Sequence, residues 1–214
     1  MELYLIPNDP VNTTFISSDG FLRYWVRTSR PLSSLRACSS IIQRPVAHAT
    51  NDQETLGEIT WGGLGRHSVI HSDLFRGRAE VAGGKPVKVR DLLIKTVYRL
   101  GLVSSSRCFI GNDEEEYVWK FCKGTGFQVF RTGSVKAIYE HSPSHVAKGV
   151  FKGQFKTCLR IHPSCTLDTD ILVMTFIIME KKRWDSLGDQ VNVATDKEDS
   201  VVEASGMEGG SGLM

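Results

Sequence analysis

The feature that most restricts the fold of this chain is an apolar run near its C-terminal end. Residues 171–179 contain a single polar side chain, Thr175. Acidic and hydroxyl residues at 168–170 precede the run and basic residues at 181–183 follow it, and these residue types favour the two ends of a helix. We therefore predict a helix over residues 169–184. The β-branched residues at the centre of the run leave a buried strand as the alternative.

A helix that is apolar on every side has to be covered by other elements of the same protein. The run at 171–179 covers only about half the length that crosses a bilayer, so we predict no transmembrane span. The remainder of the chain must therefore supply the surfaces that bury this helix.

Alternating apolar and polar residues predict strands along most of the chain. Leu22, Tyr24 and Val26 share one face of a strand, which follows another strand across an Asp19-Gly20 turn. Segments separated by turns roughly every ten residues are typical of an antiparallel sandwich or barrel. The further predicted strands are 40–43, 56–61, 68–71, 92–98, 108–110, 117–121, 128–130, 137–139 and 155–161. The fold class we predict is mainly β: an antiparallel barrel of about twelve strands that encloses the C-terminal helix.

The domain organisation follows from where this pattern stops. Residues 1–185 form one predicted domain. Residues 186–214 are rich in acids and glycine and contain no aromatic residue, so we predict a disordered acidic tail there.

Composition excludes several classes of protein. A formal net charge of +2 over 214 residues gives no general attraction to nucleic acid, which we do not expect as a partner. The five cysteines are widely spaced and none forms a Cys-x-x-Cys pair, which argues against a disulfide framework or a zinc ribbon and favours a reducing, cytoplasmic location. The N-terminal residues lack the pattern of an export signal.

Motifs of catalysis are missing from the sequence as well. It contains no Gly-x-Ser-x-Gly, no His-Glu-x-x-His and no kinase signature. His141, His145, His162 and Cys165 are possible metal ligands by type, but Pro143 keeps the first two off a common helical face. We predict no catalytic residue, no metal site and no cofactor.

Basic residues outnumber acidic ones in two stretches, 76–99 and 119–160. Together these stretches predict a basic face that attracts an anionic lipid headgroup, although ordinary outward-facing lysines would give the same pattern. The candidate ligand-binding residues of this basic face are Lys85, Lys88, Arg90, Lys120, Arg131 and Lys136.

The order of several motifs resembles a known family. Asn12-Thr13-Thr14 followed by Asp19-Gly20, the 57–61 strand, the 109–120 hairpin and the element 167–183 are similar to the landmarks of uncharacterised fungal domains grouped with the tubby C-terminal-like superfamily. The resemblance covers about residues 3–185. It implies a β-barrel threaded by a hydrophobic helix, which is also the fold of scramblase-like and LURP-one-related proteins. Residues 32–53 and 76–90 are long insertions relative to the compact pattern of that family.

The function that the resemblance implies is binding rather than catalysis. Tubby proteins bind phosphoinositides through basic residues, and by this analogy we expect a non-catalytic intracellular module that binds an anionic lipid headgroup or a protein partner. We expect it in the cytoplasm, peripherally at a membrane surface. The alternative is an enzyme whose active site lies in a pocket at one end of the barrel and matches no known motif.

Overall fold

The protein folds into one antiparallel β-sheet and a long C-terminal helix. The computed structural model describes residues 1–29, 38–46, 52–62, 67–75, 86–97, 103–123, 125–131 and 133–202. Lys85 and parts of both predicted insertions, residues 32–37, 47–51 and 76–85, lie outside this set. The strands are β1 (Glu2–Ile6), β2 (Thr13–Ser17), β3 (Leu22–Ser29), β4 (Ser39–Pro45), β5 (Gln53–Thr60), β6 (Val69–His71), β7 (Val87–Lys88), β8 (Ile94–Val97), β9 (Val103–Ile110), β10 (Glu116–Cys122), β11 (Gly126–Arg131), β12 (Ser134–His145) and β13 (Phe155–Ile161). The helices are α1 (Val89–Leu92) and α2 (Thr169–Val202), with a 3₁₀ turn at Asp73–Phe75.

The sheet consists of two meanders joined edge to edge. Its strand order is β7-β6-β5-β4-β3-β2-β1-β13-β12-β11-β10-β9-β8, and every pair is antiparallel. The prediction of a mainly β, antiparallel fold is confirmed. The described residues form thirteen strands rather than about twelve, and they show no pairing between the outermost strands β7 and β8. A closed barrel is therefore not confirmed; one helical turn, α1, joins the two outermost strands along the chain.

The first hairpin shows why the alternating pattern predicts strands. In β3, Tyr24 and Val26 are buried whereas Arg27 is exposed, as a two-residue period requires. The Gly20 backbone has φ +90°, a conformation that glycine adopts without a Cβ clash, and its N–H donates to the Ser17 carbonyl (2.9 Å). The Asp19-Gly20 turn predicted between two strands is confirmed.

The helix begins where the sequence predicts. Its first residue is Thr169, so the alternative of a buried strand is wrong. The carboxylate of Asp168 accepts a hydrogen bond from the backbone N–H of Asp170 (2.8 Å) and so caps the first turn. The backbone stays helical to Val202, beyond the predicted end at 184 and into the segment predicted to be disordered.

The residues fall into two compact units, Met1–Ile177 and Ile178–Met214. In the second unit Glu180 accepts hydrogen bonds from Arg183 (Nε to Oε2, 3.0 Å) and from the indole of Trp184 (3.0 Å), and Lys181 pairs with Asp185. Contacts of this kind, three or four residues apart, stabilise a helix locally. Within the described residues, no helix combines the length and the apolarity needed to cross a membrane.

The core of the first unit forms where the sheet meets the first turns of α2. The ring of Phe176 lies 6.2 Å from Phe15 of β2, 6.2 Å from Trp119 of β10 and 4.6 Å from Tyr139 of β12, measured between ring centroids. These strands come from both meanders, so the sheet curves around these turns. The indole N–H of Trp119 donates to the Thr175 hydroxyl (3.1 Å), which explains the one polar residue in the apolar run.

Candidate binding surface

Two loops that meet on the outer side of the sheet form a distinctive surface of the described part of the chain. The turn between β2 and β3 presents Phe21, which is 64% exposed, and the loop 146–154 between β12 and β13 presents Val150, which is 54% exposed. Arg23 and three lysines surround them. We call this set the loop-tip surface; its residues are Phe21, Arg23, Lys148, Val150, Lys152 and Lys156.

A backbone hydrogen bond and close packing hold the two loops together. The backbone N–H of Val150 donates to the carbonyl of Ser18 (3.1 Å). Gly149 makes this approach possible, because its φ is +79° and a side chain there would clash with the Ser18 carbonyl. A Cβ added at Gly20 would lie 3.0 Å from a methyl carbon of Val150. The two loop tips are therefore neighbours.

The loop 146–154 is also stabilised by hydrogen bonds within it and by packing against the sheet. The N–H of Val146 donates to the Gln154 carbonyl and that of Gly153 to the Val146 carbonyl, both at 2.9 Å. Beneath the loop, Phe151 packs edge-on against Tyr4 of β1, with 5.1 Å between the ring centroids, beside the buried Cys158 of β13. This small second core fixes the loop on the outer face of β1 and β13.

Burial in the second core also determines the chemistry of Cys158. Desolvation raises the pKa of this thiol to about 12, with a further contribution from the negative charge of Glu2. The thiol is therefore protonated at neutral pH and is a structural residue rather than a nucleophile.

The charges of the loop-tip surface are predominantly positive. The Lys156 ammonium lies 5.5 Å from the centroid of the Phe151 ring, and the Arg23 guanidinium lies 6.0 Å from that of Phe21. Asp19 is the acidic residue within the same turn, 3.8 Å from Arg23. No ion pair within the described part of the chain involves Lys148, Lys152 or Lys156.

The predicted basic face has its described members in two places. Lys88 and Arg90 lie on β7 and α1, where Arg90 contacts His67 (2.9 Å) and Asp91 (3.4 Å). Lys120, Arg131 and Lys136 lie on the neighbouring strands β10, β11 and β12. Lys85 is outside the described residues.

The basic side chains on β10, β11 and β12 differ in the partners that they already have within the protein. Arg131 forms ion pairs with Asp113 (3.3 Å) and Glu115 (2.9 Å), so two carboxylates neutralise it. The Lys120 ammonium lies 5.0 Å from the centroid of the Phe130 ring. The Lys136 ammonium donates to the Ser164 hydroxyl (3.1 Å). Whether they form a ligand-binding face stays a prediction.

The loop-tip surface was missed in the sequence because its residues come from distant segments. The alternation of β13 places Lys156 on the outer face and was visible in the sequence. Residues 146–154 have no alternating apolar and polar pattern, so their sequence does not indicate that this loop contacts the turn after β2. The one available signal was the pair of glycines, 149 and 153, with a lysine next to each.

A polar cluster at the start of α2 joins the buried side chains of Asp170 and Tyr24 to the partly exposed Arg44 and Glu54. Asp170 accepts a hydrogen bond from the Tyr24 hydroxyl (2.8 Å) and pairs with Arg44, which also pairs with Glu54 (2.9 Å). Burial raises the pKa of the Asp170 carboxyl above its ordinary value, against the opposing effects of Tyr24 and Arg44. Burial likewise raises the pKa of Tyr24. The cluster ties the helix start to β3 and β4.

A shallow groove of 330 Å³ runs along the outer face of β1, β13 and β12. Most of its lining is apolar, and Lys136, Arg160 and His162 contribute the basic groups. Among the described residues, no three histidine, cysteine, aspartate or glutamate side chains come together in a way that could hold a metal ion.

Comparison with known proteins places the chain in a family without a known activity. A family of unknown function, DUF6593, matches residues 8–185. The chain belongs to the DUF6593 family. No curated protein and no solved structure matches it. The DUF6593 match covers the strands from β2 to β13, leaves out β1 and ends within α2.

Proposed function

We propose that this DUF6593 protein is a non-catalytic binding module that attaches to anionic membrane surfaces through its loop-tip surface. The observation that carries the proposal is the exposure of Phe21 and Val150 on two loops that contact each other, with Lys148 and Lys152 in the same loop as Val150. Apolar side chains at loop tips enter the headgroup region of a bilayer, and lysines around them pair with anionic headgroups.

The size of the expected effect follows from the residues present. The four basic side chains and the carboxylate of Asp19 leave a net charge of +3. Each unit of positive charge near an anionic surface contributes about 1 kcal/mol, so charge contributes about 3 kcal/mol. Transfer of Phe21 and Val150 into an apolar environment adds about 1–2 kcal/mol for each side chain, since both are already partly covered. Together these terms are enough for reversible attachment and too small for permanent insertion.

The proposal includes the fold and location expected from the resemblance. A tubby-like barrel around the helix is supported by contacts of Phe176 with strands of both meanders and by α1, which joins β7 to β8. A cytoplasmic protein meets an anionic leaflet, which is the surface that the lysines of the loop-tip surface would bind.

Vesicle sedimentation tests the proposal. We expect the wild type to bind vesicles of phosphatidylcholine and phosphatidylserine, to bind pure phosphatidylcholine far less, and to dissociate as salt rises. The double variant Phe21→Ser/Val150→Ser should bind at least tenfold more weakly. Lys148→Gln/Lys152→Gln should lower binding and its dependence on salt.

Two control variants separate this surface from others. Phe155 is 68% exposed and directly precedes Lys156, but the alternation of β13 places its side chain on the opposite face of the strand. It also lies at the end of β13 opposite to residues 159 and 160, which pair with β1 near the β2–β3 turn. Phe155→Ser should therefore bind vesicles like the wild type. Lys88→Gln/Arg90→Gln removes two members of the predicted basic face. If these controls weaken binding as much as the loop-tip variants do, the proposal is wrong. It is also wrong if the wild type binds anionic and neutral vesicles equally well. A protein partner would then be the better hypothesis.

A further inference from the structure

The groove beside β1 has the composition of a small-molecule site. Its volume of 330 Å³ lies at the lower end of the range of such sites, about 300–1,000 Å³. The apolar side chains that reach the surface of the groove are those of Met1, Val135, Ile138 and Pro163, whereas Ala137 and Ile161, which also line it, are buried. A groove of this size holds one short chain.

The register of the strands explains the polar wall of the groove. Arg160 of β13 pairs with Glu2 of β1 and with Ile138 of β12, so the three side chains form a row on the outer face. The Arg160 guanidinium bonds to Glu2 (3.1 Å) and to Glu140 (3.3 Å). Because two carboxylates already neutralise Arg160, it has little charge left for a ligand.

The opposite end of the groove carries two side chains, Lys136 and His162, that can still donate hydrogen bonds to a ligand. The Lys136 ammonium donates to the Ser164 hydroxyl (3.1 Å), and the Ser164 backbone N–H donates to Nδ1 of His162 (3.2 Å). Since Nδ1 accepts that bond, the neutral imidazole carries its hydrogen on Nε2. Within the described part of the chain, no acceptor is assigned to this Nε2 hydrogen or to the remaining hydrogens of Lys136.

The turn after β13 holds this end of the groove in place. Pro163 follows His162 at the second position of a β-turn, in which the Cys165 N–H donates to the His162 carbonyl (3.0 Å). The His162 N–H donates to the Lys136 carbonyl (2.8 Å) and continues the ladder between β13 and β12. Lys136 and His162 are therefore positioned by backbone hydrogen bonds.

We infer that this groove binds the carboxylate end of an unbranched fatty acid. The carboxylate accepts hydrogen bonds from Lys136 and His162, and the first methylenes lie on Ile138 and its apolar neighbours. Glu2 on the facing wall disfavours a doubly charged head such as a phosphate monoester. The site is separate from the loop-tip surface, and the inference does not require the protein to attach to membranes.

Titration calorimetry with hexanoate, octanoate, octanol and octyl phosphate tests the inference. Two added methylenes should make octanoate bind about fifteenfold more tightly than hexanoate. Octanol, which lacks the charge, and octyl phosphate should each bind at least tenfold more weakly than octanoate. Equal affinity for octanoate and octanol, or tighter binding of octyl phosphate, would overturn the assignment.

Variants locate the site. Lys136→Gln should weaken octanoate binding about tenfold and leave octanol unaffected, whereas Ile138→Ser should weaken both. Lys88→Gln, which removes an exposed lysine on β7, should change neither. Octanoate binding that survives both Lys136→Gln and Ile138→Ser would show that the acid binds elsewhere. Phe21→Ser/Val150→Ser should bind octanoate like the wild type, so failure of the groove and failure of the membrane surface are distinguishable.

Discussion

Replacement of Thr175 by valine tests how the sheet holds the helix. The Thr175 hydroxyl accepts the indole N–H of Trp119 (3.1 Å) and donates to the Ile171 carbonyl one turn earlier (2.9 Å). Both side chains are fully buried. Valine has nearly the shape of threonine and a similar helix propensity, so Thr175→Val removes the hydroxyl and little else.

The expected cost is that of a buried donor left without a partner. An unsatisfied buried N–H costs about 1–3 kcal/mol, and we expect about 2 kcal/mol for the Trp119 indole. In a chain of this length that corresponds to a Tm lower by about 4–8 °C. In a Trp119→Phe background no indole N–H remains, so Thr175→Val should then cost close to nothing.

Urea unfolding of the four proteins in this double-mutant cycle gives the coupling free energy. We expect at least about 1 kcal/mol of coupling between the two positions. Thr175→Ser is the control, because it keeps the hydroxyl and should keep most of the coupling. If Thr175→Val is as stable as the wild type and the coupling is zero, then the Trp119–Thr175 hydrogen bond does not stabilise the fold.

Two further predictions concern the ends of α2. Burial raises the pKa of the Asp170 carboxyl in the folded state. The contribution of Asp170 to the free energy of unfolding is therefore complete below the ordinary carboxyl pKa and is lost as pH rises through the raised value. The stability of the wild type relative to Asp170→Asn should therefore fall from pH 3 towards neutrality in urea titrations; a difference that rises with pH would contradict this sign. Truncation after Asp185 should change Tm by less than about 4 °C, the equivalent of about 1 kcal/mol, because residues 186–214 have few apolar side chains. A larger fall in calorimetry would mean that this segment contributes to the fold.

The parts of the fold that the sequence predicted are those with strong local signals. Asp168 predicted the start of the helix because capping preferences act within one turn. The bases at 181–183 predicted an end near residue 184, which was wrong because the helix continues to Val202. Asp19-Gly20 predicted the first hairpin because a positive φ is needed there. The helix extends to Val202 without a comparable signal. The strand predicted at 92–98 is observed as β8 (Ile94–Val97), whereas the helical turn before it, Val89–Leu92, was not predicted.

The candidate sites depend on relationships that a single sequence does not contain. The loop-tip surface exists because Val150 meets Ser18, two residues far apart in the chain. The groove exists because β1 pairs with β13, which places Glu2 beside Arg160. The sequence predicted Lys136 only as a member of a basic face. Its partner Ser164 and its neighbour His162 follow from the turn after β13.

Quenching by brominated lipids measures most directly whether the loop-tip surface enters a membrane. Phe21→Trp places a fluorophore at the loop tip, and Phe155→Trp places one at a similarly exposed site at the far end of β13. With anionic vesicles of brominated lipid, the account predicts that the emission added by Phe21→Trp is quenched and shifted to shorter wavelength, while that added by Phe155→Trp is unchanged. Equal quenching of the two added fluorophores, or no quenching of either, would contradict it.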